Sequence, residues 1–105
     1  MPSRPLSKGG YVYIMTNATN TVLYVGVTSD IFDRVQKHKT CFYPGSFTSR
    51  YKVFKLVYVE SHNYISNAIA REKQLKAGSR KKKIALIDAF NPERKDLFEE
   101  LDKLI

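Results

Sequence analysis

The sequence predicts a small α+β domain: a three-stranded antiparallel sheet flanked by helices, in the order β-β-α-β-α-α-α. Three observations carry this. Two short runs rich in β-formers, 11–15 and 22–27, are separated by one polar loop. A third such run, 53–60, stands further along the chain. The segments between and after these runs have helical spacing and helix-boundary residues.

Tyr11-Val12-Tyr13-Ile14-Met15 is short and rich in β-formers, so it reads as a strand. Thr16 to Thr21 is polar, and Val22-Leu23-Tyr24-Val25-Gly26-Val27 returns as the second arm of a hairpin. Period-two alternation puts Tyr11 with Tyr13 on one face, and Tyr24 with Gly26 on one face. Thr28-Ser29-Asp30 supplies capping groups for a helix to about Lys39. Pro44, Gly45 and several Ser and Thr mark 41–51 as loop or turn. A helix from about Asn63 to Ala77 ends at Gly78, a suitable residue just beyond a helix C-terminus. Ser79 caps the next helix, to about Phe90. Asn91-Pro92 has the pattern of an N-cap followed by Pro, predicting a terminal amphipathic helix with Leu97, Phe98, Leu101 and Leu104 on its apolar side.

The 105 residues suit one domain. Residues 1–9 are expected to be a loose lead-in, 10–90 the domain proper, and 91–105 a helix packed on it. The apolar fraction of 43%, with seven Tyr and six Phe, fills one modest core. A single cysteine, Cys41, excludes an intramolecular disulfide and a Cys-rich zinc site. The N-terminal stretch has no apolar core of a secretory signal, and no run is long enough to span a bilayer, so a cytoplasmic chain with no membrane partner is expected. A monomer is expected, with a dimer open.

The formal charge is +8 and the pI about 9.7, a balance that favours polyanionic partners. The excess is local. Arg71, Lys73, Lys76, Arg80, Lys81, Lys82 and Lys83 crowd one stretch whose only acid is Glu72. Cations in the first turn of a helix oppose its dipole, and such a terminus is a favourable place for phosphate. Lys73, Lys76, Arg80, Lys81, Lys82 and Lys83, with Arg50 and Lys52, are the candidate nucleic-acid contacts, and DNA is the expected partner, with RNA open.

Several polar residues fall on helix faces that should be apolar. Glu72 stands seven residues after Ile65, hence in nearly the same direction. A carboxylate there needs a partner, and reads either as half of a structural ion pair or as a metal-binding or catalytic group. In the first helix Ile31, Arg34, Val35 and His38 stand at i, i+3, i+4 and i+7, so Arg34 and His38 share the apolar face. Taken alone, Arg34 is a side chain covering apolar surface and His38 a hydrogen-bonded core imidazole. Their placement just after a tyrosine hairpin favours a functional site. Gly26, two residues after Tyr24, leaves room for a ligand or a close backbone.

Tyr11-Val12-Tyr13, Tyr24-Val25-Gly26, Arg34, His38, Phe47-Thr48 and the helix Ala70 to Lys76 containing Glu72 resemble, in that order, the GIY-YIG nuclease superfamily. The likeness is to its small stand-alone bacterial members, similar to the nuclease domain of the excision-repair C subunit, and covers about residues 10–90. The resemblance implies an endonuclease hydrolysing DNA phosphodiester bonds with one Mg2+ or Mn2+ ion, with repair or recombination as its setting. It implies Glu72 as the metal-binding carboxylate, and Tyr13, Tyr24, Arg34 and His38 as catalytic groups. Two features depart from the pattern: Tyr11 stands where the first tripeptide begins with Gly, and Val27-Thr28 stand where many relatives carry Lys. The alternative function is a nucleic-acid-binding module of the same fold with weak or no cleavage.

Overall fold

The computed structural model describes residues 9–41 and 43–104. Except for Gly9, the expected lead-in lies outside the described residues. Strand β1 (Gly10–Thr16) is central, with β2 (Leu23–Thr28) and β3 (Lys55–His62) antiparallel on either side. Helices α1 (Ile31–Lys39), α2 (Phe47–Arg50), α3 (Ile65–Ala77), α4 (Arg80–Phe90) and α5 (Leu101–Leu104) complete the fold. The α+β architecture and its three-stranded antiparallel sheet are as the sequence predicts.

β1 is apolar almost throughout because both of its faces are covered. Tyr13, Met15, Leu56 and Val59 pack with Ile31 and Val35 of α1, and with Leu97 and Leu101. Val12, Ile14, Val25 and Val57 pack on the opposite face with Ala68 and Leu75 of α3 and Ile87 of α4. Gly10 lets α3 cross closely, since a Cβ there would lie 2.9 Å from the Ala68 methyl. Alternation along β1 therefore sends Tyr13 toward α1 and its neighbours toward α3 and α4. One irregularity in the pairing with β3 falls between Ile14 and Met15.

Three expectations change. The third strand starts at Lys55 and runs on to His62, leaving Val53 as a buried residue just before it. The segment 41–51 is more than loop: Ser46 caps α2, its hydroxyl accepting from the Ser49 N–H at 3.3 Å. Most clearly, Asn91-Pro92 opens no helix. The Asn91 N–H donates to the Ile87 carbonyl, ending α4, and residues 92–97 form a turn and irregular chain. Helical structure resumes only as a 3-10 turn over Phe98–Glu100, followed by α5. The local capping signal loses to a tertiary one. The Asn91 amide, 4% exposed, donates to the Val57 and Lys95 carbonyls at 3.2 and 2.8 Å and accepts from the Lys95 N–H at 3.1 Å. The segment is thus pinned to β3, and Leu97 and Leu101 reach the core.

Asn91→Ala strands a buried carbonyl of β3 and two loop groups. A drop in stability of about 2–3 kcal/mol is expected, read as a lower urea midpoint at unchanged slope.

Candidate active site

The candidate site lies at the free edge of β2, where the two helical layers meet. Tyr13 faces the α1 layer and is completely buried. A buried hydroxyl needs a partner, and the Tyr13 hydroxyl lies 2.9 Å from His38 Nε2. α1 supplies that imidazole on its inward stripe: Asp30 caps the helix by accepting from the Asp33 N–H, and Ile31, Val35 and His38 are buried in line. The far side of the ring is held too, with His38 Nδ1 3.0 Å from Thr48 Oγ1 on α2. Thr48 is itself buried, 3.3 Å from the Ser46 hydroxyl.

Gly26 is the register partner of Tyr13. A methyl group at 26 would overlap the Cζ and hydroxyl oxygen of Tyr13. The space left by this glycine is therefore filled by the tyrosine ring, rather than by a ligand or another backbone. Tyr24, half-buried, completes an aromatic cluster. Its ring lies 6.2 Å from Tyr13, 5.4 Å edge-on to His38, and 6.1 Å from Phe47.

The electrostatics separate the two tyrosines. Burial pushes the Tyr13 hydroxyl well above the ordinary tyrosine range, and charge on Tyr24 adds to the rise. Arg34 pulls the other way, through its charge and by hydrogen bonding to the same hydroxyl. Burial, and then the Arg34 charge, hold His38 below its usual pKa, so the ring is neutral at pH 7. Arg34 can only donate, so it occupies an acceptor position on the Tyr13 oxygen. The two ring nitrogens of His38 each face a hydroxyl, Tyr13 at Nε2 and Thr48 at Nδ1.

Glu72 stands at the margin of the buried stripe, its side chain 13% exposed and 2.9 Å from Lys76 Nζ. That ammonium also sits over the Tyr24 ring, 5.9 Å from its centre. The ion pair is at the surface, because the Lys76 side chain is half exposed. An open groove of about 470 Å³ runs beside these groups, with Tyr24 and Phe47 on one wall and Lys76, Arg80 and Lys83 on the other. Among the described residues no carboxylate borders it.

The structure thus brings together Tyr13, Tyr24, His38 and Arg34, and joins Glu72 to them through Lys76. It divides the cationic stretch. Arg80 donates to the Thr21 carbonyl at 2.8 Å and Lys83 to the Gly78 carbonyl at 2.9 Å, so both also brace the fold. Arg71 is paired with Glu60 at 3.0 Å on another face. Tyr58 also donates to Glu60, at 3.2 Å. Lys73, Lys81 and Lys82 are exposed and line no part of the groove. Exposed Arg50 sits on α2, and Lys52 borders a different hollow. Thr48 is the residue whose role single-sequence reasoning missed. Phe47-Thr48 stood out only as part of a resemblance, and nothing local says that a threonine in a four-residue helix will meet an imidazole ten residues earlier.

Comparison with known proteins gives the family. Residues 9–85 match the model of the GIY-YIG catalytic domain. The chain belongs to the GIY-YIG family. It is therefore a member of a nuclease family, whose substrates are nucleic acids. It is 39% identical over 84 residues to a UPF0213 protein of Syntrophus aciditrophicus (strain SB), covering 80% of this chain and 94% of that one. A UPF0213 protein of Pediococcus pentosaceus is 32% identical over 83 residues, covering 79% and 85%. The solution NMR structure of a UPF0213 protein from Bacillus halodurans superimposes with a TM-score of 0.52 at 28% identity, covering 82% of this chain and 90% of that one.

Two outcomes follow from the packing and the protonation state. Gly26→Ala overpacks the Tyr13 ring and is expected to cost about 1–3 kcal/mol in urea denaturation. For His38, the folded pKa lies below the unfolded value of about 6.5, so the unfolded chain binds more protons as pH falls. Stability declines below about pH 6.5 and continues to fall toward the folded pKa. Urea melts at pH 7.5 and 5.5 should show this decline, and His38→Gln should show a smaller one over the same step.

Proposed function

We propose that this chain is a divalent-metal-dependent endonuclease that hydrolyses DNA phosphodiester bonds, with repair or recombination as its setting. The observation that carries the reading is the hydrogen-bonded set Tyr13, His38 and Thr48 standing behind Tyr24, at the edge of a groove walled by cations.

Among the described residues no three His, Cys, Asp or Glu side chains cluster as a ready-made metal cage. A lone carboxylate at a solvent-reachable margin suits a hard ion that keeps most of its own water, as Mg2+ does. Glu72 is that carboxylate. It would exchange Lys76 for the ion, which would polarise the phosphate and ease departure of the 3′ oxygen.

The remaining work belongs to the protein. Tyr24 is the hydroxyl that faces the groove, since Tyr13 is sealed beneath it. A water beside the phosphate gives its proton to Tyr24 as Tyr24 passes its own to the Tyr13 oxygen. Tyr13 hands its proton to His38 Nε2. The balance is one proton moved from water to imidazole, with both phenols left neutral and the imidazolium braced by Thr48. His38 is a weak proton acceptor at rest, so the relay runs only when negative charge gathers in the groove. Arg34 steadies the oxygen at the centre of the relay and offers its remaining donors to the phosphate. Lys76, reaching over Tyr24, supplies the positive charge that the sequence lacks just after Gly26.

Purified protein with Mg2+ or Mn2+ should nick labelled DNA, and Glu72→Gln should lower the rate by at least about a hundredfold while leaving the fold intact. Thr48→Val should lower kcat and move the acid limb of the pH profile, whereas Thr48→Ser should restore both. Cleavage unchanged by Glu72→Gln would refute the mechanism. The commitment of Glu72 to Lys76 favours one other reading, a binding module with little turnover. Salt-sensitive DNA binding by wild-type protein without cleavage in either metal would select it.

A further inference from the structure

A second concavity, of about 490 Å³, lies near the β1–β2 loop, bordered by Lys39, Lys52 and Lys55 together with Asn17, Thr19 and Tyr51. The one acid that borders it among the described residues is already engaged. Asp96 pairs with Lys39 and accepts from the Leu56 and Phe98 N–H groups. Lys39 in turn donates to the Phe54 carbonyl at 2.9 Å. The ammonium groups of Lys52 and Lys55 have no protein partner among the described residues.

Two aromatic steps join this hollow to the groove at Tyr24. Tyr24 and Phe47 are 6.1 Å apart with their planes at 28°, and Phe47 and Tyr51 are 4.8 Å apart. Phe47 borders the groove and Tyr51 the hollow. Both rings are about half exposed, at 48% and 47%. A small anion would need only one of the two basic hollows. A nucleic-acid strand, with a phosphate on every nucleotide, engages both. Lys, Asn, Thr and Tyr are side chains that hold phosphate and sugar without reading bases.

We infer that a continuous track runs from Tyr24 over the exposed edges of Phe47 and Tyr51 into the Lys52–Lys55 hollow. Its ligand is the sugar–phosphate backbone of the substrate strand, on one flank of the scissile bond. The inference rests on the nuclease reading and adds to it a site that grips one flank of the substrate, so affinity rises with strand length until the hollow is filled.

The test is fluorescence anisotropy, in EDTA, with labelled DNA oligonucleotides of 4, 8 and 12 nucleotides. Wild-type protein should bind more tightly as the strand lengthens from 4 to 8 nucleotides. Lys52→Asn/Lys55→Gln should abolish that increase, weakening binding of the 8-mer and 12-mer about tenfold near 150 mM salt. The salt slope should fall by about 1.4, since each phosphate of a single strand that the protein no longer neutralises lowers it by about 0.7. Asn suits position 52, where the backbone φ is 57°. Lys52→Asn alone should give roughly half the change in slope, which checks the result against any misfolding of the double variant. Lys95→Gln/Lys103→Gln, removing as much charge elsewhere, should keep the dependence on length. A double variant that retains this dependence, or binds equally more weakly at all three lengths, overturns the track alone. Wild-type protein with no salt-sensitive binding at any length overturns the nuclease reading as well.

Discussion

The buried hydroxyl of Tyr13 is the constraint on which the rest of the site depends. A phenol on the central strand, with both faces of the sheet covered, has no access to water. Leaving it unpaired would cost on the order of 1–3 kcal/mol. His38 meets it, and that one hydrogen bond sets much else. The imidazole has to come from α1, which fixes how far the helix is rotated about its axis and turns Arg34 toward the same oxygen. Thr48 has to meet the second ring nitrogen, which docks α2 against α1. Residue 26 has to lack a side chain, because the ring of Tyr13 lies across it. A fold requirement and a candidate catalytic constellation are thus the same set of interactions.

The edge position of β2 turns this buried cluster outward. A central strand would be flanked by backbone on both sides. At the free edge, Tyr24 comes from the layer that includes α1, and Lys76 and Arg80 come around from α3 and α4. The cations also cover an otherwise open strand edge, as Arg80 does on the hairpin loop. Protection of the edge and attraction of a polyanion are served by the same side chains, so their positive charge alone does not separate a binding role from a structural one. The single sign of the charges that border the groove among the described residues is more informative, since edge protection would tolerate either sign.

How far this was legible depended on where the information lay. The hairpin and the inward stripe of α1 follow from short-range periodicity, and helical phasing alone placed Arg34, His38 and Glu72 on faces meant to be apolar. What periodicity misses is decided between elements. Gly26 could be read as space, but only the register with β1 says that Tyr13 occupies it. Four residues make too short a helix for α2 to register as periodic. Asn91-Pro92 carries a sound local signal for a helix start, yet its amide is worth more against Val57 and Lys95 than against its own next turn. The run of cations likewise looked like one patch. Helical rotation spreads it over several faces, and Arg71 finds Glu60 on β3.

Burial then assigns different work to the two tyrosines. A hydroxyl raised well above the ordinary range by desolvation is a poor base for solvent water and a good conduit, because it holds one proton and accepts another without ever ionising. Tyr24 has the opposite situation: it reaches the groove, touches Lys76 from one side and the buried cluster from the other. A proton taken at Tyr24 can therefore be stored on the far side of Tyr13, on an imidazole that solvent does not reach. The neutral resting state of His38 keeps that store empty. In the proposed relay it would fill only while the groove holds negative charge, so that an arriving phosphate would act both as substrate and as switch.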